Sequence, residues 1–160
     1  MSSPIWFKDY DLKTLEGLRN ANMGVHIGFE FTELGPDYIE GRLPVDHRTT
    51  QPFGILHGGA SCVLSETLGS VAAWMTINPD THRAVGLEIN CNHIRAVTEG
   101  HVIGRCTPLH TGRRTQVWQT DMFEEATGKR TAVSRLTVAI IDQGTLSTQK
   151  ETVKVGVENA

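Results

Sequence analysis

Residues 51–74 read QPFGILHGGASCVLSETLGSVAAW, a loop feeding a segment that is apolar or small almost all the way round. Ala60, Val63, Leu64, Leu68, Val71, Ala72 and Met75 recur at helical spacing, and the opposite face carries Cys62, Ser65, Glu66, Gly69, Ser70 and Ala73. A helix with no hydrophilic face has to be covered on nearly every side. The rest of the chain must therefore wrap around this one helix, and small residues on the second face let a neighbour approach closely.

The remaining sequence offers strands for that purpose. From Arg83 onward the apolar period is two in RAVGLEINCNHIRAV, EGHVIGRCTPLH, RRTQVWQTDMF and KRTAVSRLTVAII, which predicts four strands. Turns at TEG, HTG and EEATGK lie at hairpin distances and predict an antiparallel meander. Upstream, Val25, Ile27, Phe29 and Phe31 alternate with polar or small residues, as do Ile39, Gly41, Leu43 and Val45, giving two further strands around a turn at LGPD. Leu12, Leu15 and Leu18 predict a short amphipathic helix over 11–23 that stops before Gly24. The order is that of an α+β layer pair: a curved antiparallel sheet of about six strands around one long central helix. One helix covers six strands only if the sheet curls, and the edges left over favour a dimer or larger assembly. The expected division is an N-terminal extension over 1–8, a single domain over 9–142, and a polar, aperiodic tail over 143–160 expected to be disordered.

Composition excludes some partners. The chain has 160 residues and a net charge of -3 with no long basic tract, which argues against nucleic acid and anionic membranes. No apolar run is long enough to span a bilayer and the N-terminus lacks an export pattern, so the expected location is cytoplasmic. Cys62, Cys91 and Cys106 are odd in number and lack Cys-x-x-Cys spacing, and they read as reduced core residues rather than a disulfide or zinc framework.

Candidate chemistry centres on Glu66. A carboxylate in apolar surroundings is costly unless partnered, and no Lys or Arg lies within a helical turn of it. Among its neighbours at three and four positions, Cys62, Val63, Gly69 and Ser70, only Ser70 can hydrogen-bond locally. Gly58-Gly59 opens the helix, where unpaired N–H groups and the positive dipole end could hold an oxyanion; a plain loop-to-helix turn is the alternative use of the pair. Eight residues separate Gly58 from Glu66, roughly 12 Å along a helix axis. Both can serve one carbonyl only if the N–H comes from one subunit and the carboxylate from an antiparallel copy. In VGLEINCNH, alternation puts Val85, Leu87, Ile89, Cys91 and His93 on one inward row, so His93 is a pocket candidate or a satisfied rim residue. HTGRR, from His110 to Arg114, is surface charge or a phosphate dock. Trp118 and Phe123 read as core or interface.

Taken together, LPVDHRTTQPFGILHGGASCVLSETLGSVAAW, VGLEINCNHIR, PLHTGRRTQVWQ and SRLTVAI resemble the hotdog-fold acyl-CoA thioesterases, most closely the bacterial subgroup that includes 1,4-dihydroxy-2-naphthoyl-CoA hydrolase and the proofreading thioesterase of enterobactin synthesis. The resemblance implies a double hotdog dimer with composite active sites, usually a dimer of dimers. It implies Glu66 as general base or nucleophile on a thioester carbonyl, the Gly58 N–H as oxyanion donor, Gln51 and His57 as polarising or positioning groups, and Ser70 and His93 as groups that place water or the acyl moiety. It further implies CoA contacts at Gly86, at His93, Ile94, Arg95 and Ala96, and at His110, Thr111, Gly112, Arg113, Arg114 and Thr115. The arginines at 95, 113 and 114 suit its phosphates. No metal and no bound cofactor is implied, since CoA enters as part of the substrate.

The expected activity is hydrolysis of acyl-CoA thioesters, with aromatic acyl groups favoured. Water attack assisted by Glu66 and attack by Glu66 itself through an anhydride both stay open. HGG also suggests a serine hydrolase, but no Gly-x-Ser-x-Gly elbow occurs. A hydroxyacyl thioester dehydratase and a non-catalytic acyl-CoA-binding module are the rivals.

Overall fold

The computed structural model describes residues 3–18 and 22–144. Two short helices, α1 (Leu12–Gly17) and α2 (Met23–His26), precede β1 (Glu30–Leu34) and β2 (Ile39–Pro44); α3 (Gly58–Met75) follows, then β3 (His82–His93), β4 (His101–Thr111), β5 (Thr115–Glu124) and β6 (Arg130–Asp142). The strands form one antiparallel sheet in the order β1-β2-β4-β5-β6-β3.

The 18-residue α3 is the centre of the molecule, packed along β2, β3, β4, β5 and β6. Its fully buried Leu64, Leu68, Ala72 and Met75 meet Leu43, Val102, Trp118, Met122 and Leu136 from the sheet. Polar atoms on the covered side are satisfied. The Ser65 hydroxyl donates to Thr120 Oγ1 at 3.1 Å, and the Trp118 indole N–H donates to Gln116 Oε1 at 3.0 Å. The Gln116 amide in turn donates to Thr76 Oγ1 at 2.9 Å and the Thr76 hydroxyl to the Ala73 carbonyl at 2.8 Å, so a buried polar chain ties the sheet to the end of α3.

Close approach depends on Gly69. A Cβ there would lie 2.7 Å from Leu136 Cδ2, and Leu136 is itself buried. Gly69→Val is expected to destabilise the fold by about 1–3 kcal/mol through overpacking, read as a lower denaturant midpoint with an unchanged slope. A midpoint equal to wild type would mean that the helix can lift from the sheet freely.

The first residues are part of this packing. Trp6 stacks on Trp118 with centroids 6.5 Å apart and donates its indole N–H to the Gly35 carbonyl at 2.8 Å, and the Phe7 N–H reaches the Met75 carbonyl at 2.7 Å.

Three expectations change. First, the sheet is not a sequential meander: β4, β5 and β6 are, but β3 pairs with β6 at the far edge. Residues 94–100, where the sequence suggests the end of a strand and the TEG hairpin turn, instead cross the end of the sheet, with Val97 buried and its carbonyl accepting the Leu56 N–H at 2.8 Å. Second, the helix expected over 11–23 ends at Gly17, and Val25 and Ile27 belong to and follow α2 rather than a strand; only Phe29 and Phe31, stacked edge-on at 4.7 Å, lead into β1. Asn22 caps α2 by accepting the Gly24 N–H, so Gly24 lies inside a helix instead of stopping one. Third, β3 carries a bulge: Gly86 pairs with Val138, but Glu88 pairs with Thr137, leaving Leu87 as the extra residue. The inward row is consequently Ala84, Gly86, Ile89, Cys91 and His93, opposite the buried Ile140, Val138, Leu136, Ser134 and Ala132. Val85 points outward and Leu87 is 62% exposed. Residues 145–160, where the polar tail is expected, lie outside the described residues.

Candidate active site

The inward row of β3 runs antiparallel to α3 and meets it at three levels. At the helix start, the His93 ring lies over Gly58: a Cβ on Gly58 would sit 2.8 Å from His93 Nε2. One turn on, the Cys62 thiol faces the Cys91 thiol, and burial first, with that neighbour second, pushes the Cys91 thiol up to about 11. Another turn on, Glu66 lies against Gly86, whose Cβ position would be 3.1 Å from Glu66 Oε1. Glycine at 86 thus leaves room beside the carboxylate that any side chain would fill.

Glu66 is half-buried. Its Oε1 accepts the Ser70 hydroxyl at 2.9 Å, one helical turn further along. The second carboxylate oxygen has no hydrogen bond among the described residues, so it keeps its lone pairs for a proton or an electrophile. The pairing with Ser70 is the one that the spacing of this helix predicts.

The helix start is held by its own loop. The His57 N–H bonds the Thr49 carbonyl at 2.9 Å, Gln51 N–H bonds the Ile55 carbonyl at 2.9 Å, and Gly54, at φ 76, donates back to the Gln51 carbonyl at 2.9 Å. His57 is the N-cap of α3: its Nδ1 accepts the Gly59 N–H at 2.8 Å. A ring nitrogen that accepts an N–H carries no proton, so the neutral His57 is protonated on Nε2 and presents a donor. The residue pattern points to His57 but not to this cap. The Gly58 N–H, in the first turn, has no intrahelical acceptor, and the His93 ring lies beside the Gly58 Cα.

The expected site residues fall into three groups within one subunit. Gln51, Gly58, His93, Ile94, Arg95 and Ala96 line one cavity of about 320 Å³ at the start of α3. Its far wall includes Thr131, whose carbonyl accepts the N–H groups of both Ile94 and Arg95 at 2.8 and 3.0 Å. Glu66, Ser70 and Gly86 form the second group, at mid-helix. The third is the turn between β4 and β5: Thr111, Gly112 and Arg113 line a cavity of about 440 Å³ near the end of α3, and Arg113 and Arg114 line another of about 340 Å³ with His82 and Asp142. The turn is closed by the Gly112 N–H to the Thr115 carbonyl at 3.0 Å, with His110 packed over Gly112. His82 is a lining residue that nothing in the sequence singles out. Glu66 and Gly58 stay two turns apart on one helix, so one subunit does not converge them on a single atom.

The exposed edge of β3 bears on that separation. Beside Leu87, Val85 is 42% exposed, and Ile94, just past the end of the strand, is 57% exposed; β3 has one unpaired side.

The family description of the thioesterase superfamily matches residues 53–138. The chain belongs to the thioesterase superfamily. It is 47% identical over 137 residues to the 1,4-dihydroxy-2-naphthoyl-CoA hydrolase of Escherichia coli, covering 86% of this chain and 99% of that one. It is 45% identical over 137 residues to the proofreading thioesterase EntH of Cronobacter turicensis, covering 86% and 98%. Among solved structures, thioesterase HI1161 of Haemophilus influenzae superposes with a TM-score of 0.82 at 45% identity, covering 86% of this chain and 95% of that one. A mutant of thioesterase PA1618 of Pseudomonas aeruginosa superposes at 0.84 with 36% identity, covering 86% and 99%. The curved sheet around α3 is the hotdog fold of this superfamily. Among the described residues no helix is long and apolar enough to cross a membrane, and no cluster of three or more His, Cys, Asp or Glu side chains could hold a metal ion.

Proposed function

We propose that this thioesterase hydrolyses acyl-CoA thioesters, aromatic ones such as 1,4-dihydroxy-2-naphthoyl-CoA or a hydroxybenzoyl-CoA favoured, to the free acid and CoA. The observation that carries this reading is the half-buried Glu66, held at one oxygen by Ser70, free at the other, and faced by a glycine instead of a side chain. The similarity to the Escherichia coli hydrolase supports the aromatic acyl class.

The working unit is a dimer in which two β3 edges come together with antiparallel helices. Glu66 of one subunit then acts with the Gly58 N–H of the other, and the apolar, half-open edge of β3 supports that pairing. Two such dimers assembling into a tetramer, and a cytoplasmic location, fit the same reading. In each site the Gly58 N–H stabilises the oxyanion, and Gln51 and His57 Nε2–H polarise or orient the thioester carbonyl. His93 and Ser70 place the acyl group or water. Arg95, Arg113 and Arg114 take the phosphates of CoA, with Gly86, Ile94, Ala96 and the 110–115 turn along its length.

In the base-catalysed route Glu66 takes a proton from water as the new C–O bond forms, the tetrahedral oxyanion collapses, and the C–S bond breaks to release the thiolate, which is then protonated. In the covalent route the Glu66 carboxylate attacks the carbonyl, CoA thiolate leaves, and water cleaves the anhydride. The test is a thiol-release assay across short, long-chain and aromatic acyl-CoAs. Thiol release with highest kcat/KM on aromatic substrates is expected. Tight binding of CoA esters without thiol release, or an enoyl product from a hydroxyacyl-CoA, overturns the reading.

A further inference from the structure

We propose that Cys91 is a positioning residue that fixes which nitrogen of His93 carries the proton, so that His93 joins the Gly58 N–H as a second donor at the oxyanion position. The inference rests on the proposed thioesterase site and adds a residue to it. Cys91 and His93 are neighbours on the inward row of β3, and Cys91 Sγ lies 3.8 Å from His93 Nδ1, within reach of a sulfur hydrogen bond. The other nitrogen, Nε2, faces Gly58 at the helix start. What that nitrogen can do depends on the tautomer. With the proton on Nδ1, Nε2 offers a lone pair, and an oxyanion would be repelled. With the proton on Nε2, the ring presents a donor beside Gly58 at the helix start.

Two effects compete for that proton. The positive end of the α3 dipole, taken alone, favours a lone pair on Nε2. The thiol pulls the other way, because sulfur is a weak acceptor but a bare imidazole nitrogen is a strong one, so the S–H to Nδ1 arrangement is much the better of the two. Cys91 stays a thiol, able to donate, since burial holds its ionisation near 11. The competing acceptors around it are Cys62, again sulfur, and the Ser134 hydroxyl, whose proton goes to the Asn90 carbonyl at 2.6 Å and whose oxygen is a weaker acceptor than a bare imidazole nitrogen. Neither matches an imidazole nitrogen. His57 shows the same arrangement by another means, its Nδ1 occupied by the Gly59 N–H. Both imidazoles at the start of α3 then present Nε2–H.

The test labels histidine with ¹⁵N and reads the His93 tautomer by NMR in wild type, Cys91→Ala and Cys91→Ser, with His93→Gln for assignment. Wild type is expected to show Nε2–H, Cys91→Ser to keep it through its hydroxyl, and Cys91→Ala to show an exchanging mixture. In parallel, Cys91→Ala should lower kcat on the best acyl-CoA roughly three- to tenfold with KM changed less than twofold, the size of one weak hydrogen bond, and Cys91→Ser should restore most of it. An Nδ1–H tautomer in wild type, or the wild-type tautomer retained in Cys91→Ala, overturns the proposal. Should Cys91→Ala not fold, Cys91→Val, which also removes the donor while filling the space, takes its place with the same expected and overturning results. The tautomer is read without substrate, so an absence of thiol release would sink the proposed function while leaving this result standing on its own.

Discussion

Glu66→Gln is expected to lower kcat for thiol release by about a hundredfold or more, the range for losing an acid–base group. The substitution is nearly isosteric, and the amide oxygen can still accept the Ser70 hydroxyl that now bonds Oε1 at 2.9 Å. Helix α3 and its contact with Gly86 should therefore survive, with thermal unfolding shifted little. What is lost is the second oxygen, which an amide nitrogen cannot replace as base or nucleophile. KM should stay within a few-fold, because the acyl-CoA is held by other residues. Activity within threefold of wild type would remove Glu66 from the chemistry and leave Gly86 and Ser70 as packing details.

The second large effect concerns the β3 edge. In the dimer proposed above, Val85→Asp with Leu87→Asp should give monomers and reduce thiol release by more than a hundredfold, with the fold of each subunit intact. In the proposed two-fold interface each substitution would occur twice, so four carboxylates would stand near the axis in place of four apolar side chains. Sedimentation or light scattering reads the association, and the assay reads the chemistry. A stronger form uses mixed dimers of Glu66→Gln and Gly58→Val subunits. If each site draws Glu66 from one subunit and the Gly58 N–H from the other, one site per mixed dimer is fully wild type and activity returns on mixing. If both come from the same subunit, no combination restores it.

How much of this is readable from sequence differs by feature. The central helix is, because its composition admits only a buried placement, and Glu66 stands out for being its only charge. Pairing with Ser70 follows from helical geometry. The sheet order is not readable, because alternation reports which face a residue takes and says nothing of which strand lies alongside. Residues 94–97 read as the end of a strand and 98–100 as a hairpin turn, but together they act as a crossover pinned by Val97. The bulge escapes for a related reason. VGLEINCNH alternates well enough that Leu87 reads as a member of the inward row, and only pairing with β6 shows it to be an extra residue. The inward position of His93 nonetheless holds, because it is counted from Ile89 and Cys91, above the bulge. His57 is legible as a site residue, but its cap depends on ψ 131 at that position, a backbone angle that no residue pattern specifies.

The inserted leucine in β3 has a consequence for how such a chain can change. Were position 87 deleted, ordinary alternation would still deliver Gly86 to the carboxylate, since the residue before Glu88 would then face Val138 by default. The extra residue is thus dispensable for keeping space open at the acid; what it supplies is an exposed apolar side chain on the edge strand. In the proposed dimer, strength of self-association and reactivity are thus written in adjacent letters but not in the same one, which would let mutation tune how firmly two copies hold together while the reacting groups keep their places.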